Sequence, residues 1–300
     1  MAEFKHFPVM AKEATEALCL ESGKVYVDAT LGGGGYSAII AGKIMPDGKL
    51  FSFDVDNDAI KAASERLQGF SNVKIIKDSH VNIREHLDEM GVEKITGGVV
   101  YDFGASFYQL TNGERGFSFQ KDAPLDMRFN QDANFSAYNV VNDYREDDLV
   151  RIFSEYGEER FSKRIAKAIV EERKKSPIKT TSELSELIIK STPRVKSKIH
   201  PATRVFQAIR IEVNGELDNI KDTLRNILPV LETGAIISAV TFHSAEDRIV
   251  KNFFRDNSAR FHENGKLEIL TKKPLTATEE ELKINPPSRS AKLRFAKVIK

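Results

Sequence analysis

The sequence predicts an α/β fold built on a parallel sheet, with a helical domain inserted into it. Three observations carry that expectation. Strand-like runs that end in a polar residue alternate with helices of about ten residues through the first hundred positions. The alternation lapses between about 107 and 200 and resumes with an apolar run at 235–242. The composition allows a real core, since 41% of the 300 residues are apolar and 30% are charged, as in ordinary globular chains.

Taken in order, an amphipathic helix over about 9–21 leads into the strand Lys24–Asp28. A glycine-rich turn then opens a small-residue helix from Tyr36, and a Pro-Asp-Gly turn at 46–48 precedes the strand Leu50–Asp54. A helix from Asp58 to Leu67, with Asp58 as its N-cap and Asp56 in the loop, leads to the strand Val73–Asp78. A helix near 82–90 and the strand Gly98–Asp102 close the series. In the interrupted stretch, Phe117, Phe119, Leu125 and Met127 read as packed irregular chain, followed by helical patterns at 146–174 and 182–190 and a basic loop at 191–201. A long amphipathic helix is expected from Thr203 to about Leu231. The apolar strand at 235–242 follows, then a helix opened by Ser244-x-x-Asp247 and short strands near 267–270 and 291–298. This reading assigns 1–107 and 203–300 to one α/β domain and 108–202 to the insert.

Several classes are set aside by what the chain lacks. No apolar run approaches the roughly 20 residues that span a bilayer, and the N-terminus has no basic-then-apolar leader layout. The single cysteine, Cys19, forbids an internal disulfide and a cysteine-rich zinc site. A cytoplasmic protein without a membrane partner is expected, as a monomer or homodimer. His243, Glu246 and Asp247 resemble metal ligands, but at the start of a helix they read as capping groups, so no metal is expected. The net charge of +1 hides an asymmetry: residues 160–210 carry 14 Lys/Arg and 4 acids, a net +10, against −9 for the remainder. Such a basic block fits either a polyanion-binding surface or a solvated helical face.

The strongest local signal is Asp28-Ala-Thr-Leu-Gly32-Gly-Gly-Gly35-Tyr36, in which four glycines between strand and helix allow a sharp bend and close approach to a ligand. Two designs share that look. A dinucleotide fold requires G-x-G-x-x-G, and Ser37 stands where its third glycine belongs. A sulfonium cofactor instead suits an acid on the first strand, because its sulfonium and ammonium groups are cations. Asp54 at the second strand end can accept both ribose hydroxyls in either design. Asp78 and His80 follow the third strand, where adenine is held, and Asp102 ends the fourth. A nicotinamide enzyme is the alternative from this local chemistry, and it leaves the basic block unexplained.

Longer ordered motifs extend along the chain. They include His6-x-Pro8-Val9-Met10-x-x-Glu13, Arg115-Gly-Phe-Ser-Phe-Gln-Lys-Asp122, Pro124-Leu-Asp-Met-Arg128, Tyr156-Gly-Glu-Glu-Arg160 and His200-Pro-Ala-Thr-Arg204. Phe206-Gln-Ala-Ile-Arg210, Asn214-x-Glu216-Leu217, Phe242-His-Ser-Ala-Glu-Asp-Arg248 and Ser288-Arg-Ser-Ala-Lys-Leu-Arg294 complete them. With the glycine turn, these motifs closely resemble the RsmH (MraW) methyltransferases, which methylate N4 of a cytosine in the decoding centre of 16S ribosomal RNA. The resemblance runs almost end to end. It implies a Rossmann-like domain that uses S-adenosyl-L-methionine, an inserted helical domain, and the small ribosomal subunit as partner. It places the cofactor on Gly34, Gly35, Tyr36, Asp54, His80, Asp102 and Gln109, to which the reading of the glycine turn itself adds Asp28 and Gly32. Tyr36 stands where the family has histidine, His80 where it has phenylalanine, and Phe107, Tyr108 and Thr111 depart from its pattern after Asp102.

For the reaction that the resemblance implies, Asp102 is the expected acceptor that orients the amine, with Ser106 nearby as a second catalytic candidate. Phe107 and Tyr108 are candidates for stacking on an extruded base. Arg128, Arg204 and Arg210 are candidates for phosphate contact, and Lys163, Lys167, Lys196 and Lys198 for longer-range attraction. A ribosome-binding or assembly paralogue that has lost catalysis is the reading from a different class.

Overall fold

The computed structural model describes residues 8–106, 109–110, 113–193 and 199–300. The chain divides into two compact units, one formed by the chain up to Gly104 with Leu217–Lys300, the other by Ala105–Glu216.

The first unit is a seven-stranded sheet of order β3-β2-β1-β4-β5-β7-β6. Its strands are β1 (Val25–Asp28), β2 (Lys49–Asp54), β3 (Val73–Lys77), β4 (Gly98–Asp102), β5 (Ile236–Thr241), β6 (Leu267–Ile269) and β7 (Lys292–Val298). The first five run parallel, while β7 pairs antiparallel with both β5 and β6. Burial on both faces explains why the parallel strands read as continuous apolar runs rather than alternating ones. Successive residues of β5 show the division: Ile237 and Ala239 join one core, Ile236 and Val240 the other. On the first face, Ile83 and Leu87 of one helix (Ile83–Glu89), Ile220 and Leu224 of a second (Glu216–Ile227) and Val250 and Phe254 of a third (Ser244–Asp256) cover the sheet. On the other, α1 (Ala11–Glu16) contributes Ala14, and α2 (Gly35–Ile44) contributes Ile40, Ala41 and Ile44. Helix α3 (Asn57–Leu67) packs Ala63 and Leu67 beside Leu31.

Three boundaries differ from the sequence reading. Helix α1 ends at Glu16, well short of 21. Asp56, and not Asp58, caps α3: it is buried, and its carboxylate accepts from the Asp58 N–H at 3.0 Å. The long helix expected from 203 to 231 is broken at Gly215, whose φ of 59° lies in the left-handed region that ends one helix before Glu216 opens the next.

The second unit is helical, with helices Ala137–Asp143, Glu146–Glu155, Ser162–Arg173, Thr181–Ser191 and Thr203–Asn214. Among the described residues it holds no strand, only an isolated bridge between Pro124 and Thr180. The short helix Ala137–Asp143 has no counterpart in the sequence reading. The helix Thr203–Asn214, expected in the sheet domain, belongs here because Val205, Phe206, Ala208 and Ile209 are buried in this unit's core with Val140, Ile152, Phe153 and Ile165. The unit therefore extends beyond the expected 108–202. Phe117, Leu125 and Met127 of the irregular segment are buried in the same core, and Phe119 packs against it. Among the described residues, no helix is long and apolar enough to cross a membrane.

Candidate active site

In the sheet unit the chain moves outward from β1 to β3 in one direction and from β4 to β5 in the other, so the reversal falls between β1 and β4. Ligands of such sheets bind at the carboxyl ends of the strands beside that reversal. Asp28 and Asp102 end the two strands that flank it, Asp54 ends β2, and His80 follows β3.

Asp28 is fully buried and has no cationic partner among the described residues. Its carboxylate accepts from the Ser37 hydroxyl at 2.6 Å and the Thr30 N–H at 3.2 Å, and Ser37 Oγ lies 2.8 Å from Ser52 Oγ. Burial outweighs those bonds and pushes the carboxyl up to about 6. Asp54 is tied to the glycine turn itself: Oδ2 accepts from the Gly32 N–H at 2.8 Å and Oδ1 from the Asp56 N–H at 2.9 Å. Burial raises its carboxyl to about 6 as well. The Asp102 N–H donates to Thr30 Oγ1 at 2.6 Å, while its buried Oδ1 has no hydrogen-bond partner among the described residues. Burial, then the negative charges of Asp28, Glu246 and Glu281, push this carboxyl well above the usual carboxylate range.

His80 opens a single 3-10 turn after β3, and its ring stands edge-on to Tyr101 and Phe103 at centroid distances of 6.1 and 5.9 Å. Burial lowers the imidazole to about 4, so it is neutral at pH 7, and its buried Nδ1 has no hydrogen-bond partner among the described residues. Asp78, expected beside it, is instead spent on the chain: it lies 2.7 Å from His86 Nε2 and accepts from the Asn82 amide at 3.1 and 3.2 Å.

The glycine turn is shaped by two demands. Gly34, the N-cap of α2, has φ 75°, and a Cβ there would also lie 3.2 Å from the Ala63 Cβ. A Cβ on Gly35 would come within 2.7 Å of Pro8. Tyr36 is 2% exposed, and its hydroxyl donates to the Val9 carbonyl, so its side chain fixes residue 9 and only its backbone remains available to a ligand. Three carboxylates gathered around this turn, one with an unpartnered oxygen, fit a ligand carrying sulfonium and ammonium cations. A pyrophosphate would meet like charge there, which counts against the nicotinamide reading.

His243 and Glu246 act as the capping groups that the sequence suggests, although the cap is His243 and not Ser244, while Asp247 caps nothing among the described residues. His243 Nδ1 accepts from the Glu246 N–H at 3.4 Å, and Glu246 Oε2 accepts from the N–H groups of Phe242 and His243 at 2.7 and 3.2 Å. Asp247 pairs with Arg294 at 2.7 Å, which joins the motif around 242–248 to the one around 288–294. Thr30, Ser37 and Ser52 were missed from the sequence. Small hydroxyl residues beside a strand end give no signal until the neighbouring strands are aligned.

In the helical unit, Ser106 and Gln109 are bonded to each other: the Ser106 N–H donates to Gln109 Oε1 at 2.8 Å and the Gln109 N–H to Ser106 Oγ at 3.2 Å. Phe107, Tyr108, Thr111, Lys196 and Lys198 lie outside the described residues. Arg128, expected on phosphate, is spent internally: Nε and Nη2 donate to the Asp126 carboxylate at 2.6 and 2.8 Å, and Nη1 donates to the carbonyls of Gln131 and Ala133. Arg210 is likewise held by Glu216 at 2.8 and 2.9 Å, with side chains only 14% and 5% exposed. Arg204 donates to the Glu158 carbonyl at 3.1 Å. Lys163 and Lys167 are exposed.

A model of the MraW methylase family matches residues 3–299 of the chain. The chain is 48% identical over 307 residues to ribosomal RNA small subunit methyltransferase H of Caldicellulosiruptor bescii, covering 99% of this chain and 100% of that one. It is 47% identical over 309 residues to the protein of the same name from Clostridium botulinum strain Loch Maree, with 99% and 100% coverage. With the one from Clostridioides difficile strain 630, identity is 45% over 312 residues at the same coverage.

Proposed function

Because this chain belongs to the MraW methylase family, we propose that it methylates N4 of a cytosine in the decoding centre of 16S ribosomal RNA, within the small subunit. As a member of that family it is a methyltransferase whose methyl donor is S-adenosylmethionine. The observation that carries the reading is Asp102, whose buried carboxylate oxygen lacks a partner at the sheet edge beside the glycine turn.

The cofactor, when bound, supplies an electrophilic methyl group on a sulfonium sulfur. Gly32, Gly34 and Gly35 would give it close backbone approach, Asp28 and Asp54 negative charge, and His80 a wall for the adenine. Asp102 does the work on the incoming base. Its free Oδ1 accepts a hydrogen bond from the exocyclic amine and turns the nitrogen lone pair in line with the methyl group, a positioning effect that can supply several kcal/mol of the barrier. Methyl transfer would form the N–C bond as the sulfonium S–CH3 bond breaks to leave a neutral thioether, and Asp102 would accept the proton that the newly acidic nitrogen loses. A carboxyl raised by burial and by negative neighbours takes that proton more readily than an ordinary one.

The test is to incubate the protein with methyl-labelled S-adenosylmethionine and small subunits lacking this methylation, then map the label by mass spectrometry. Label on N4 of the decoding-centre cytosine is expected. Subunit binding without label would favour a paralogue that has lost catalysis, and label elsewhere would reassign the target. Asp102→Asn is expected to lower turnover by about 10²–10⁴-fold; full turnover with unchanged cofactor affinity would remove Asp102 from this role.

A further inference from the structure

The basic block of residues 160–210 separates in the structure into cations that serve the fold and cations that do not. Lys174 and Lys175 pair with Glu171 and Glu172, each at 2.8 Å, and Lys190 with Glu186 at 3.2 Å. Arg173 donates to the carbonyls of Val141 and Tyr144, and Arg210 is buried on Glu216. Five cations stand apart among the described residues: Lys179, which lies beyond the helix Ser162–Arg173, and four that precede that helix or lie on it. Arg160, Lys163, Arg164 and Lys167 are all exposed, and among the described residues none donates to an acceptor.

These four lie together. Lys163, Arg164 and Lys167 occupy the outer face of the helix Ser162–Arg173, whose opposite face buries Ser162, Ile165, Ala166 and Ile169. Arg160 precedes its first turn. Positions i, i+1 and i+4 span an arc of about 100° and a rise of about 6 Å, close to the spacing of successive phosphates along one strand. Fold stability does not account for the placement. Lys163 and Arg164 sit in the first turn, where the helix dipole opposes cations, and that turn holds no acid. The helices Glu146–Glu155, Thr181–Ser191 and Ser244–Asp256 carry acids in that position, while Ala137–Asp143 and Thr203–Asn214 have none but also lack two adjacent cations there. A local rule broken without a folding gain marks a surface kept for a ligand.

We infer that Arg160, Lys163, Arg164 and Lys167 form the phosphate-contact surface of the helical unit and take the backbone of the RNA substrate, while Arg128 and Arg210 hold the unit together. The inference rests on the proposed RNA substrate and names the surface that meets it. It differs from long-range attraction by the whole basic block, which would treat every lysine of 160–210 alike.

The experiment compares binding of small ribosomal subunits by three forms of the full chain across a salt series. One is the natural protein, one carries R160Q, K163Q, R164Q and K167Q, and one carries K174Q, K175Q and K190Q. Each lost phosphate contact removes about 0.7–0.9 from the slope of log affinity against log salt. The first variant is expected to lose roughly 3 in slope and at least about tenfold in affinity, with S-adenosylmethionine affinity and melting temperature unchanged. The second is expected to keep the slope within about 1 of the natural protein. Equal losses in both variants, or none in the first, would overturn the surface while leaving the RNA reading intact. A natural protein whose subunit binding is insensitive to salt would instead count against the RNA reading itself.

Discussion

Asp28 is held without a counter-cation among the described residues, and that has a measurable consequence in the absence of cofactor. Its carboxyl is raised from 3.8 to about 6 by burial, so the folded state favours the protonated form. The stabilising contribution is fully present below about pH 4 and is lost as the pH rises through about 6. Asp28→Asn keeps an acceptor for the Thr30 N–H and cannot ionise. In urea titrations of the cofactor-free protein, the variant is expected to match the natural protein near pH 4 and to exceed it at pH 8 by on the order of 3 kcal/mol. Its affinity for the cationic cofactor at pH 8 is expected to fall by about tenfold or more, since a charge attraction has been removed. Equal stability at pH 8 would mean that Asp28 is not strained by its burial. The site therefore trades stability for ligand charge complementarity, a common arrangement where carboxylates are kept for function.

At the scale of elements, the turn from β1 into α2 is set by backbone conformation and by helix packing together. Gly34→Ala meets both obstacles, a φ of 75° and the Ala63 Cβ at 3.2 Å, whereas Gly23→Ala meets only the first, with φ 78° and open space around it. Thermal melts are expected to show a loss of about 1 kcal/mol for Gly23→Ala and about 2–3 kcal/mol for Gly34→Ala. The difference measures how closely α2 approaches α3. Equal losses would show that α3 gives way freely. Gly215 illustrates the same backbone logic at the end of a helix, where a left-handed residue divides one amphipathic run into two elements.

Over the whole molecule, the two units have separate hydrophobic cores, and every buried member of the helical core lies between Phe117 and Ile209. A lesion in that core should leave the cofactor site standing. Phe153 is fully buried there, and Phe153→Ala is expected to cost about 3–5 kcal/mol. Calorimetry is expected to show a transition moved to lower temperature, and saturating S-adenosylmethionine to raise only the remaining one. A single transition that shifts as a unit would show that the two cores unfold together. Charge follows the same division, with +10 concentrated in residues 160–210 of a chain whose net charge is +1.

The carboxylates of the site were legible in the sequence because strand, glycine turn and helix follow one another within a few residues, which puts Asp28, Asp54 and Asp102 at strand ends before any contact is known. Caps were less legible: Asp56 and Asp58 are equally good candidates in the sequence, and only the first helical residue of α3 decides between them. Arg128 and Arg210 read as phosphate ligands because a guanidinium in a basic block has no visible partner until the chain is folded. Tyr36 read as a cofactor contact, yet its hydroxyl is committed to the carbonyl of Val9. By itself the sequence determined most of the order of elements, the α/β class and the acidic strand ends, which follow from local periodicity and spacing, and the family, which follows from the resemblance of its longer motifs. Only the tertiary structure decided which charges are neutralised, which oxygen of Asp102 is left open and where the helical unit ends, because partners far apart along the chain are selected by packing rather than by spacing.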